Sequence, residues 1–160
     1  MAFVFKALGP LEKIMVIVVL AGATLKYLHL TGADEILMLS MSTLAAVFYL
    51  RGFNAGRSGD TQQQQTGFAD LFAGAIVPKV SWIACSVVVI GALFAMLNLR
   101  GAGEMLAVGV SALSMSCIFA GYFLVTGSVF TPALINVLYR AAPLCAFGWY
   151  MFMNLPPAHR

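Results

Sequence analysis

The stretch GATLKYLHLTGADEILMLSMSTL, residues 22–44, lies without a gap over GALFAMLNLRGAGEMLAVGVSAL, residues 91–113. The offset is 69 residues (91 less 22). Identical pairs include Gly22 and Gly91, Gly32 and Gly101, Ala33 and Ala102, Glu35 and Glu104, Leu37 and Leu106, Ser42 and Ser111, and Leu44 and Leu113. Matching leucines mean little in an apolar chain. A shared Gly-Ala turn followed two residues later by Glu is more specific. The alignment predicts that one helical hairpin occurs twice. Both copies start from the same side, so they are parallel repeats, an arrangement known in some transporters.

The surroundings say which solvent these hairpins face. The chain has 160 residues, of which 61% are hydrophobic and 9% charged. Soluble domains carry about 45–50% apolar and about 25% charged residues. So few charges cannot cover a water-facing surface, whereas lipid-facing side chains should be apolar. We therefore expect a single all-α membrane domain over residues 1–160. Repeat 1 covers residues 11–53 and repeat 2 residues 79–126, with a C-terminal apolar helix over 130–154. This makes five spans; the alternative is four plus a re-entrant segment.

Residues 11–30 form the first apolar run and 35–53 the second. The break between them is short enough to make antiparallel neighbours. Gly32 suits the left-handed residue that often ends a helix. Between the repeats, NAGRSGDTQQQQT (54–66) is a polar loop with four consecutive glutamines. Phe68, Leu71, Phe72 and Ile76 then recur at helical spacing. They predict a short interfacial helix before Pro78, so that 54–78 reads as loop plus interfacial helix. In the C-terminal helix, Pro143 predicts a kink.

Lys6, Lys13, Arg51, Arg57 and Lys79 all fall on one side of this arrangement, opposite Arg100. The positive-inside rule puts the N-terminus and the 54–78 loop in the cytoplasm. A net charge of +3, scattered along the chain, is no nucleic-acid footprint. The expected partners are the lipid bilayer and a second copy or another membrane protein.

Several residues stand out against the apolar background. Lys26 and His29 are three apart and share a helix face. One reading is an interfacial lysine and a helix-capping histidine. The other couples them to Asp34 or Glu35 across the turn. Glu35 and Glu104 are the symmetric acids, suited to the positive end of a helix dipole. Arg140 is the anomalous charge: inside the membrane a guanidinium is normally paired or faces a wet cavity, and the other reading is that residues 129–139 are interfacial and Arg140 marks the water boundary. Small residues mark helix packing: Gly103, Ala107 and Ser111 on one stripe, and Ala112, Ser116 and Ala120 on another. The second copy replaces Lys26 and His29 by Ala95 and Asn98.

No catalytic motif is present, and no cofactor is called for. The histidines are His29 and His159, too few and too far apart for a bis-histidine or zinc set. Cys85, Cys117 and Cys145 all lie inside apolar runs, where cysteine acts as a small hydrophobe. The expected function is non-enzymatic: a structural or accessory subunit of a membrane assembly. The alternative is a transporter or channel component, with a polar path near Lys26, His29, Glu35, Glu104 and Arg140.

The first hairpin resembles the transmembrane hairpin of GldL-type proteins, inner-membrane motor subunits of bacterial gliding and type 9 secretion. Gly22, Ala23, Lys26, His29, Gly32, Thr43, Ala45 and Phe48 carry the resemblance. It implies a bacterial inner-membrane location. The family carries a membrane glutamate between the Thr and the Ala of the second helix. Here that position is Leu44, and its counterpart in the second copy is Leu113. The resemblance therefore implies a related hairpin without the group that drives proton-coupled motion.

Overall fold

The computed structural model describes residues 2–57, 76–126 and 132–155, with side chains over 9–53, 76–126 and 135–155. The polar loop and interfacial helix expected within 54–78 fall mostly outside these residues. Among the described residues the structure is all-helical: α1 Ala2–Tyr27, α2 Ala33–Arg57, α3 Val77–Met96, α4 Ala102–Val125 and α5 Pro132–Met153. By length and composition, Ala33–Phe53, Val77–Met96 and Ala102–Val125 can each cross a bilayer. At 1.5 Å per residue, about 20 residues match the ~30 Å hydrocarbon core. Helix α1 starts nine residues before the expected boundary at Leu11, with Pro10 inside it. Helix α5 continues through Pro143 as one 22-residue element.

The hairpin turns have the same geometry. His29 and Asn98 both have φ 54°, and Gly32 and Gly101 have φ 90° and 85°. The His29 and Leu30 amides donate to the Lys26 and Leu25 carbonyls. The Asn98 and Leu99 amides donate to Ala95 and Phe94 in the same way. Each is a Schellman cap, which closes orphan carbonyls at a helix end. The left-handed residue that ends α1 is therefore His29, and Gly32 serves the start of α2 instead. Histidine and asparagine are among the few non-glycine residues that visit this region readily. Asp34 and Glu35 then open α2 and Glu104 opens α4, as the helix dipole favours.

Packing follows the same offset. Ala33, Leu37, Met41 and Leu44 are buried on α2, and Ala102, Leu106, Val110 and Leu113 on α4. A Cβ at Gly22 would meet Leu37 Cγ at 3.2 Å, and one at Gly91 would meet Leu106 Cγ at 3.0 Å. Absent side chains thus let the arms of each hairpin approach closely. The helices pack in sequence, α1 on α2, α2 on α3 and α3 on α4, while α5 lies against both α3 and α4. Gly148 makes that last approach possible, because a Cβ there would fall 2.6 Å from Val110 Cγ2. The core contains Met41, Leu44, Phe48, Cys85, Val88, Leu106, Val110, Leu113 and Ala141.

The two small-residue stripes separate. Ser116 and Ala120 are buried and Ala112 half-buried, with Ser116 hydrogen-bonded to Ser81 of α3. That stripe belongs to packing inside the chain. On the other, Gly103 is buried but Ala107 and Ser111 are exposed.

Gly91→Val should lower thermal stability by about 1–3 kcal/mol, since its Cβ meets the Leu106 backbone nitrogen at 3.0 Å. Gly121→Val is the control, with nothing within 4 Å of its Cβ. Helical circular dichroism on heating in detergent compares the two. His29→Gly should be neutral or gain about 1 kcal/mol by removing a left-handed Cβ, and Gly32→Ala should lose about that much.

Candidate functional site: polar clusters at the two ends of the bundle

The described charges collect at opposite ends of the helices. At the turn end, Lys26 sits in the last turn of α1 and Asp34 in the first turn of α2. Their side chains meet, with Lys26 Nζ 2.6 Å from Asp34 Oδ1. Asp34 is 66% exposed, so this pair contributes little to stability. His29, Thr31 and Glu35 line the same shallow cup, of ≈ 310 Å³. Of the expected couplings across the turn, the Lys26–Asp34 pair is formed. His29 acts first through its backbone. Glu104 stands exposed at the corresponding place on the second turn.

The other end holds a tighter cluster. Glu12 is buried on α1, and its Oε2 receives two guanidiniums. Arg51 Nη1 of α2 lies 2.6 Å away and Arg140 Nη1 of α5 lies 2.8 Å away. Trp82 of α3 forms the floor, with the Arg51 and Arg140 Cζ atoms 5.3 and 5.8 Å from its ring centroid. Four helices are thus joined at one place. Charge-assisted hydrogen bonds are about twice as strong as neutral ones, and an aromatic face further favours a nearby cation. Arg140, the anomalous charge of the sequence, meets a partner 128 residues away.

Glu12, Arg51 and Trp82 were not legible as a site. Glu12 stands beside Lys13 at the edge of an apolar run, where charges normally mark the water boundary. Arg51 reads in the same way, and Trp82 reads as part of an aromatic belt. The available signal was an acid lying on the same side of the membrane as the basic residues. Only the packing of α5 turns that into a contact.

The two hairpins differ here. At the 69-residue offset, Glu12 corresponds to Ser81, Val47 to Ser116 and Arg51 to Ala120. Hairpin 2 therefore closes its base with a buried Ser81–Ser116 hydrogen bond, where hairpin 1 uses an ion pair. Between the two ends the described side chains are mainly apolar, and several hydroxyls are turned onto their own helices. Ser40 and Thr43 donate to the Ile36 and Leu39 carbonyls. Ser114 accepts from Trp149 Nε1 at 3.1 Å and lies 3.3 Å from Cys145 Sγ, tying α4 to α5. The three cysteines are free, and no set of three His, Cys, Asp or Glu side chains is close enough to hold a metal among the described residues.

Glu12→Gln removes the one anion between two half-buried cations. The expected loss is roughly 3 kcal/mol, typical of breaking a buried pair from one side. Arg140→Leu should cost less, because Arg51 keeps its partner. A double-mutant cycle on thermal unfolding in detergent measures the coupling.

Comparison with known proteins bears on the first hairpin. Residues 8–67 match the family model described as GldL N-terminal domain. The matched stretch holds most of α1, the first turn and all of α2, and is less than half of the chain. No curated protein and no solved structure matches. Leu44, at the position where GldL-type proteins carry their membrane glutamate, is buried in the helix-packing core. The chain is a helical membrane protein whose first hairpin resembles the transmembrane hairpin of GldL-type motor subunits.

Proposed function

We propose that this protein is a non-enzymatic, structural or accessory subunit of a bacterial inner-membrane assembly. It crosses the membrane five times, with the N-terminus in the cytoplasm and the C-terminus outside. It consists of two tandem copies of one hairpin followed by a closing helix. Support for duplication comes from the matching caps and burial of the two hairpins. Support for orientation comes from Lys13, Arg51, Lys79 and Arg140, which gather at the end opposite the two turns.

The observation that carries the reading is how the polar side chains are used. Arg140 and Arg51 are held by Glu12, and Lys26 by Asp34. An apolar core lies between these groups, with Leu37, Leu106, Leu113 and Val88 fully buried. A transport path would need polar or hydrated positions through that region. A proton-driven motor would need an acid where Leu44 stands. What remains is a rigid, well-packed scaffold. The partner surface is proposed to be another membrane protein or a second copy, met through the lipid-facing sides of the helices.

Two measurements test this. Extracted in mild detergent, the protein should run as a complex larger than one chain, and in liposomes it should give no ion or proton flux above protein-free vesicles. A flux that Lys26→Ala, Glu35→Gln or Arg140→Leu abolishes without changing assembly would overturn the reading. A topology reporter fused after Arg160 should be active outside the cytoplasm, and cytoplasmic activity would refute five spans.

A further inference from the structure

Among the described residues, the cluster at Glu12 does not balance its charge. Two guanidiniums approach a single carboxylate oxygen, at 2.6 and 2.8 Å. Arginine stays protonated at any accessible pH. With Glu12 ionised, two positive charges face one negative. The Trp82 ring favours both cations but supplies no counter-charge. Water screens them incompletely, since the side chains of Glu12, Arg51 and Arg140 are 12%, 19% and 39% exposed. A partly dehydrated cation without a counter-ion is costly.

Arg140 is the open arm of the cluster. Its planar fork offers several N–H donors, and the bond to Glu12 runs through Nη1. A phosphodiester is a monoanion with two free oxygens, and a guanidinium takes such a pair side by side. Lys79 adds an exposed cation at the same end. It lies in the first turn of α3, three residues before Trp82, with its ammonium 5.8 Å from the Phe53 ring centroid. The cluster also sits where the apolar length of α2 ends, two residues before Phe53. In a bilayer matched to that span, the cluster lies near its edge, within reach of a lipid headgroup and beside the exposed Phe53 side chain.

We propose that the Glu12–Arg51–Arg140 cluster, with Lys79, is a binding site for a phosphodiester or phosphate monoanion, the chemistry presented by an anionic phospholipid headgroup. The bound anion balances the surplus charge and fastens α5 to the bundle at the membrane surface.

The test uses the full chain, delipidated in a neutral detergent. Phosphatidylglycerol, phosphatidylcholine and inorganic phosphate are added separately. Bound lipid is read by native mass spectrometry and stability by thermal unfolding. Phosphatidylglycerol should stay bound and raise the unfolding temperature, while phosphatidylcholine should do neither. A matching rise with millimolar phosphate would support the anion site and assign it to the free ion. Arg140→Gln should weaken phosphatidylglycerol retention about fivefold or more, and Lys79→Gln by a smaller factor, as expected per cation near a lipid surface. Lys79 lies outside the ion-paired core, so its variant carries the test if Arg140→Gln does not fold. Equal retention of phosphatidylcholine and phosphatidylglycerol would overturn the proposal. So would unchanged phosphatidylglycerol retention in Lys79→Gln and in any Arg140→Gln that folds.

Discussion

Apolar helices gain little by leaving lipid for one another, because lipid tails are as apolar as leucine. This bundle therefore depends on close approach of its backbones. Gly22 against Leu37 and Gly91 against Leu106 bring each hairpin's arms together, and Gly148 seats α5 against Val88 and Val110. Each contact works because a side chain is missing where a leucine or valine of the facing helix packs in. The polar ties come second and act at the margins. Ser81 with Ser116, Trp149 with Ser114, and the two arginines on Glu12 fix orientation between helices that are already close.

The same constraint explains why the turns are alike. A helix end in or near lipid cannot leave carbonyls unpaired without a large cost. The Schellman cap satisfies them within a few residues and needs one left-handed residue. His29 and Asn98 both accept that backbone conformation, so the turn survives a change of side chain. Where the two hairpins agree, they serve this geometry. Where they differ, at Lys26 and His29 and again at Glu12 and Arg51, the first hairpin gains charge. Its resemblance to GldL-type hairpins extends over that more charged copy, but with Leu44 in place of the membrane acid.

Much of this was written locally in the chain. Apolar runs of membrane length, the Gly-Ala turns and the acids that open α2 and α4 are all short-range features. They set helix, turn and hairpin from neighbouring residues alone. Helix starts were less clear, since Gly9-Pro10 reads as a boundary before Leu11. Pro10 lies inside α1, more than two turns past its start, so the helix runs through it at the cost of one backbone hydrogen bond.

Sequence by itself thus determined an all-helical membrane chain, the place of both hairpins and the isolation of Arg140. Tertiary structure alone decided what Arg140 meets. Glu12, Arg51, Trp82 and Arg140 come from four helices, and no sequence spacing relates them. It also decided which small-residue stripe faces inward, because helical periodicity gives both stripes equal standing. The physical reason is the same in both cases. Lipid rewards every apolar face alike, so only the fit of one helix against another selects which face is covered and which charges share a carboxylate.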